Sequence, residues 1–266
     1  MTTGAARTFE TWADEYARYR PGYPTALFDE LASRLDVPTD GQVADVGAGT
    51  GLASLAMAGR GWQITAVEPG ARMLEQLRAQ AASAGVEIEA VEASAEATGL
   101  PDASFDLVTA AQAYHWFDRP RALDESARIL RPGGGVALFW NVRRAEASPI
   151  VAEYEAIMAR HFGEAGIGQY LQFGWDAEEA AIRDAFETSG RFEGLAYAEL
   201  RHETETDADG LVGLASTASY VRRLGVDERT RLDDQLRAAV ARHGLAEKRF
   251  TIPYRIDLWT ARKRDR

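Results

Sequence analysis

The chain has 266 residues, 46% of them hydrophobic, and a net charge of −11 from 41 acidic against 30 basic side chains. That length and apolar share suffice for a sizeable core, while the acidic balance argues against a nucleic-acid groove, whose affinity rests on Lys and Arg neutralising phosphates. The absence of cysteine excludes disulfides, zinc–thiolate sites and thiol nucleophiles, and the lack of an apolar leader or membrane-length run points to a soluble cytoplasmic protein with no membrane partner.

Residues 1–8 read as a loose tail. Residues 9–20 are aromatic and helix-compatible until Pro21 and Pro24 stop them, and 26–35 form a second helix with Leu27, Phe28, Leu31 and Leu35 on one face. Such a segment either covers a bound ligand or packs on the core. Residues 43–46 (Val-Ala-Asp-Val) are a buried strand, Gly47, Gly49 and Gly51 make a tight turn, and the Ala/Leu/Met-rich stretch 52–59 is a helix. Strand, glycine turn and helix together let a ligand approach bare backbone beside the N–H groups of a helix N-terminus. Glu68 ends a second apolar strand, 64–67, about 20 positions past the turn, where a carboxylate can accept both hydroxyls of a ribose. The competing reading is a βαβ core whose glycines only allow close helix–strand packing.

The alternation continues with a helix over 71–84, strands over 86–91 and 105–110, a helix over 119–130, a turn at 131–135 and a strand over 136–140. Repeated βα units imply a parallel sheet covered on both faces. From Ser148 to Gly225 the rhythm breaks into helical stretches, a glycine- and aromatic-rich segment and one extended strand, 195–206, which suggests an inserted lid. A helix capped by Asp227 follows, and 250–259 alternates strictly and completes the sheet, with Pro253 suggesting an edge or a bulge. The expected architecture is an α/β, Rossmann-like, doubly wound seven-stranded sheet, mostly parallel with an antiparallel C-terminal strand. Its divisions are a helical N-terminal flap (1–36), a nucleotide-binding core (37–147), a substrate lid (148–225) and a closing helix and strand (226–266).

Dinucleotide turns usually read Gly-x-Gly-x-x-Gly. Here the spacing is Gly47-x-Gly49-x-Gly51, preceded on the strand by Asp45, and Asp-Val-Gly-Ala-Gly-Thr-Gly resembles motif I of the class I S-adenosylmethionine-dependent methyltransferases. Three further stretches match in order: Ala66-Val67-Glu68-Pro69 resembles the ribose motif, Ala93-Ser94-Ala95-Glu96 leading into Pro101–Asp106 the adenine-binding segment, and Leu130-Arg131-Pro132-Gly133-Gly134 the turn before the fifth strand. The N-terminal aromatic segment and Tyr114-His115-Trp116-Phe117-Asp118 look most like the small-molecule branch that includes trans-aconitate-type methyltransferases.

The resemblance implies S-adenosylmethionine as cofactor, S-adenosylhomocysteine as product, and a small-molecule acceptor, with the protein a monomer or homodimer. Asp45 would belong to the cofactor site, Gly47, Ala48, Gly49 and Gly51 would lie under the methionine part, and Glu68 would take the ribose. Pro69 and Met73 would flank the adenine, with Ser94, Ala95 and Glu96 at its edge. Ser94 stands where many members carry Asp, so its hydrogen bond lacks charge assistance. Ala111 and Gln112 would border the methionine chain. Tyr16, Arg20 and Tyr23 would close over the cofactor, although Arg20 reads equally as a surface charge.

The four histidines, His115, His161, His202 and His243, lack metal-ligand spacing, so no metal is expected. His115 follows the fourth strand, where ligands of open α/β sheets bind, and is the first candidate for a general base, with Tyr114 second; the alternative is a packing role in an aromatic cluster. Trp116, Trp140, Arg143, Tyr170, Phe173, Trp175 and Tyr220 are the candidates for an acceptor pocket. Two other readings stand beside methyl transfer: a fold member that only binds the cofactor or catalyses another reaction, and an NAD(P)-dependent oxidoreductase.

Overall fold

The computed structural model describes residues 13–168 and 174–264; within these, side chains are described outside 163–177. Seven strands form one sheet in the order β3-β2-β1-β4-β5-β7-β6. In chain order they are β1 (Gln42–Val46), β2 (Gln63–Val67), β3 (Ile88–Val91), β4 (Phe105–Ala111), β5 (Leu130–Arg143), β6 (Phe192–Thr206) and β7 (Phe250–Lys263). The pairs among β1 to β5 are parallel, and β7 is antiparallel to both β5 and β6. β7 alone therefore runs against the rest.

The helices are α1 (Ala13–Tyr19), α2 (Thr25–Leu35), α3 (Leu52–Ala58), α4 (Ala71–Ala84), α5 (Arg119–Ile129), α6 (Pro149–Gly168), α7 (Gly174–Ser189), α8 (Ala208–Ser216) and α9 (Val226–Arg242). One apolar cluster joins α5 and α7 to one face of the sheet through Leu123, Ile129, Ile182 and Phe186. A second joins α2 and α3 to the other face through Leu27, Phe28, Met57 and Phe139. Central strands covered on both faces are buried along their length, as in β1, where Val43 to Val46 are all buried and only Asp45 is not apolar. A third cluster packs α6, α8 and α9 together over Ile252 and Tyr254 of β7.

Four features depart from the sequence expectations. Helix α2 buries Leu27, Phe28, Leu31 and Leu35 in the core, so among the described helices of the expected flap only α1 lies outside it. β6, assigned above to the lid, is a strand of the main sheet, paired with β7 from Phe192 to Thr206. Its alternating charged residues mark an edge strand, but nothing local specifies which sheet it joins. Pro253 sits in an interior strand rather than at an edge: its carbonyl accepts the Arg144 N–H at 2.9 Å, one residue past the last β5 pair, Arg143 with Tyr254, so the missing donor falls at the very end of that ladder. Finally, Gly225 rather than Asp227 precedes α9, with Glu228 reaching back to the Gly225 N–H. The expected 131–135 turn persists as a bulge: β4 advances from Phe105 to Leu107 while β5 advances from Leu130 to Gly135.

Strand order reverses between β1 and β4. β1 leads outward to β2 and β3, β4 to β5, and the loops leaving β1 and β4 part to leave a crevice at the carboxyl ends of the strands.

Candidate active site

The crevice is a cleft that, with the solvent at its open mouth included, spans about 730 Å³. Its floor is the turn Gly47–Thr50 and the first residues of α3, its sides are Glu68, Met73 and the exit of β4 (Ala111, Gln112, Ala113), and Tyr16, Arg20, Pro21, Tyr23 and Trp116 border it.

The turn is fixed from below. Val67 O accepts the N–H groups of Gly47 (2.8 Å) and Ala48 (3.1 Å), which lashes it to the end of β2. All three glycines have positive φ, at +71°, +57° and +89°, but they are bare for different reasons. A Cβ on Gly47 would lie 2.7 Å from Ala113 Cβ, and one on Gly51 would lie 2.7 Å from Leu77 Cγ; these two allow internal packing. A Cβ on Gly49 meets nothing within 4 Å. Gly49 is therefore the position where bare backbone opens onto the cleft. Behind it, Asp45 is fully buried, accepting Ser54 Oγ at 2.5 Å and Thr109 Oγ1 at 2.8 Å. Burial lifts its pKa to about 6 despite those two bonds. Asp45 was placed among cofactor contacts by the motif; it does not line the cleft, and it braces β1, α3 and β4 where they meet.

Glu68 is 5% exposed and held by two backbone donors, Gly49 N–H to Oε2 at 3.0 Å and Gly70 N–H to Oε1 at 2.9 Å. Its carboxylate plane is thus set by the same turn that forms the floor. The Thr50 hydroxyl is buried on the cleft wall with no partner among the described residues. Tyr23 packs edge-on against Phe139 at 5.0 Å, and burial raises its phenol pKa, so the hydroxyl stays neutral. Gln112 takes φ +55°, a left-handed conformation uncommon outside glycine, with its amide donating to Asn141 O at 3.1 Å.

Of the residues singled out from sequence, Tyr16, Arg20, Gly47, Ala48, Gly49, Glu68, Met73, Ala111, Gln112 and Trp116 line the cleft, with Tyr23. Gly51, Pro69, Ser94, Ala95 and Glu96 do not. Ala95 borders a small void between the sheet and α5, and Glu96 accepts the Asp118 N–H at 2.9 Å. Pro21, Thr50, Leu52, Ala53 and Ala113 were not singled out; all but Ala53 adjoin a residue that was, and continuity along the chain was the available signal.

Neither base candidate lines the cleft. Tyr114 is buried against Phe117 and Phe186 on the α5 side, and burial holds its phenol pKa far above the usual value. His115 Nδ1 accepts the Trp140 indole N–H at 3.3 Å. An indole can only donate, so the neutral imidazole carries its proton on Nε2. Burial, then the charges of Arg119 and Arg20, lower the His115 pKa to about 4. Among the acceptor candidates, Trp140 is a buried core residue. Arg143 pairs with Glu155 at 2.5 Å and lies over the Tyr154 ring; burial opposes its charge, and Glu155 more than restores it. Tyr220 packs on Phe162, ring centroids 4.6 Å apart. Tyr170 and Phe173 lie outside the described residues, and of Trp175 only its backbone in α7 is described. Among the described residues no His, Asp and Glu group is arranged to hold a metal, and no helix is long and apolar enough to cross a membrane.

A 3-2-1-4-5-7-6 sheet with a glycine turn after β1 and an acid after β2 defines a class I S-adenosylmethionine-dependent methyltransferase fold. Residues 44–138 match the family model of the methyltransferase domain. An uncharacterized methyltransferase of Mycobacterium tuberculosis is 31% identical over 239 residues, covering 89% of this chain and 86% of its own length. The 27-O-demethylrifamycin SV methyltransferase of Amycolatopsis mediterranei is 31% identical over 215 residues, covering 72% and 76%. A solved Anaeromyxobacter dehalogenans structure, assigned as a type II methyltransferase, superposes with a TM-score of 0.66 at 27% identity, covering 93% of this chain and 100% of the other. The chain belongs to this methyltransferase family, and the protein is a methyltransferase.

Proposed function

We propose that the cleft binds S-adenosylmethionine and that the protein transfers its methyl group to a small-molecule acceptor. The observation that carries the reading is the pairing of Glu68, aligned by the Gly49 and Gly70 N–H groups, with the open floor at Gly49. A carboxylate so fixed suits two vicinal hydroxyls, and a floor without Cβ admits a ligand against backbone. Met73 flanks the base, whose edge runs toward Pro69, Ser94, Ala95 and Glu96 beyond the cleft lining. Ala111 and Gln112 border the amino-acid end, and Arg20 supplies its counter-charge. The unpartnered Thr50 hydroxyl is a polar group suited to a ligand at the same wall.

The cofactor supplies an electrophilic methyl on a cationic sulfur, so the chain's own task is alignment and exclusion of water. Tyr16, Tyr23 and Trp116 wall the cleft for that purpose. His115 acts in this reading as an orienter of Trp140 and its neighbours rather than as a base, because its Nδ1 lone pair is engaged. The acceptor enters from the side of α6 and α8, which lie in the part of 148–225 that remains lid once β6 is assigned to the sheet. A small-molecule acceptor is supported by the Amycolatopsis relative, whose name specifies a demethylrifamycin.

Titration calorimetry with S-adenosylhomocysteine and with NAD tests the reading. Binding of the first and not the second is expected, and the reverse overturns it. Labelled S-adenosylmethionine with candidate acceptors then separates transfer from binding alone.

A further inference from the structure

Arg20 reaches the cleft from the segment after α1 with its guanidinium over the Tyr16 ring, 5.1 Å to the centroid, yet its side-chain hydrogen bonds go to a residue 197 positions away. Its Nε donates to Thr217 Oγ1 at 2.9 Å and its Nη2 to Thr217 O at 3.3 Å. Thr217 is fully buried at the C-terminal end of α8, and its hydroxyl donates in turn to Leu214 O at 2.6 Å. That second bond orients the Oγ1 lone pairs toward the guanidinium. Both acceptors offered by Thr217 therefore face one side of the fork, and Arg20 makes no ion pair with any described residue.

The docking of α1 on α8 is equally close. A Cβ on Gly213 would lie 2.5 Å from the Tyr19 ring, so only glycine permits this approach. Arg222 pairs with Glu15, and Ser216 Oγ donates to the same carboxylate at 3.4 Å. Since α8 is buried with α6 and α9 in their own apolar cluster, the guanidinium is positioned by the lid side of the molecule rather than by the sheet.

We infer that Thr217 is a positioning residue, holding Arg20 in the cleft wall so that its remaining N–H groups grip a carboxylate, the amino-acid end of the cofactor. The inference rests on the S-adenosylmethionine reading of the cleft. A guanidinium paired with no carboxylate among the described residues is suited to a bidentate anion, and two bonds to Thr217 remove the rotamer freedom that binding would otherwise have to freeze.

The test compares S-adenosylhomocysteine with 5′-methylthioadenosine, which lacks the amino-acid end, by calorimetry. Thr217→Val is expected to weaken S-adenosylhomocysteine about tenfold and 5′-methylthioadenosine less than about twofold, the scale of one hydrogen bond to a charged group. Thr217→Ser, which keeps the hydroxyl, is expected within about threefold of wild type. Thr217→Val added to Arg20→Met should cost nothing further. Should Thr217→Val not fold, Arg20→Lys carries the test, since an ammonium keeps the charge but cannot span both Thr217 acceptors; the same selective loss is expected. Equal weakening of both ligands, an undiminished effect in the Arg20→Met background, or unchanged S-adenosylhomocysteine affinity would overturn the inference alone. If the wild type binds neither ligand, the cofactor reading fails first and this one with it.

Discussion

Replacing Glu68 with Gln keeps the shape of the side chain and removes its charge and one of its two acceptors. In the native protein each carboxylate oxygen accepts one backbone N–H, from Gly49 and from Gly70. An amide nitrogen cannot accept, so one of those N–H groups is stranded at a site that is 5% exposed. A buried donor left unmade costs about 1–3 kcal/mol, and at roughly 2–4 °C per kcal/mol for a chain of this size calorimetry should show a clear drop in melting temperature. Loss of the charged hydrogen bonds to the ribose costs about 1.5–3 kcal/mol more in binding, a tenfold to hundredfold weaker S-adenosylhomocysteine. The two effects are separable because the first is measured without ligand. A variant that melts lower but binds within about twofold of wild type would refute the ribose role while leaving the turn-bracing role intact.

Neighbouring glycines should fail in opposite ways. Gly49→Ala meets open space, so folding loses only the left-handed strain of about 1–2 kcal/mol while cofactor binding is blocked; Gly51→Ala drives a methyl against Leu77 and loses a further ~1–3 kcal/mol of stability. Urea melts beside calorimetric titration distinguish the two, and equal binding loss with equal destabilisation would contradict the assignment. Asp45 has a folded pKa of about 6, above its unfolded value, so its protonated form contributes stability that is complete below about pH 4 and lost as pH rises through 6. The stability of Asp45→Asn relative to wild type should accordingly grow by on the order of 3 kcal/mol between pH 4 and 7.5, and a pH-independent difference would show that the carboxyl is not buried in this way. His115, with its pKa lowered to about 4, is neutral throughout pH 6–8, so saturating methyl-transfer rates should show no limb assignable to it there. A limb near pH 6.5 that disappears in His115→Asn would restore it as a base.

The sequence by itself determined the succession of βα units, the turn at 47–51 and the acid at 68, because each is a local pattern whose meaning is carried by a few neighbouring residues. It also singled out eleven of the cleft-lining residues gathered above, most of them in that turn, at the β4 exit or in the N-terminal segment. What it could not decide was where long-range packing would send side chains of ambiguous character. Trp140, Arg143 and Tyr220 look alike as pocket or core residues in one dimension, and packing against the sheet or α6 keeps them out of the cleft. The proton on His115 is set by an indole 25 residues away, the place of β6 by a strand that follows it, and the hold on Arg20 by Thr217. Those outcomes depend on which surfaces the assembled sheet leaves adjacent, and periodicity along the chain carries no information about adjacency across it.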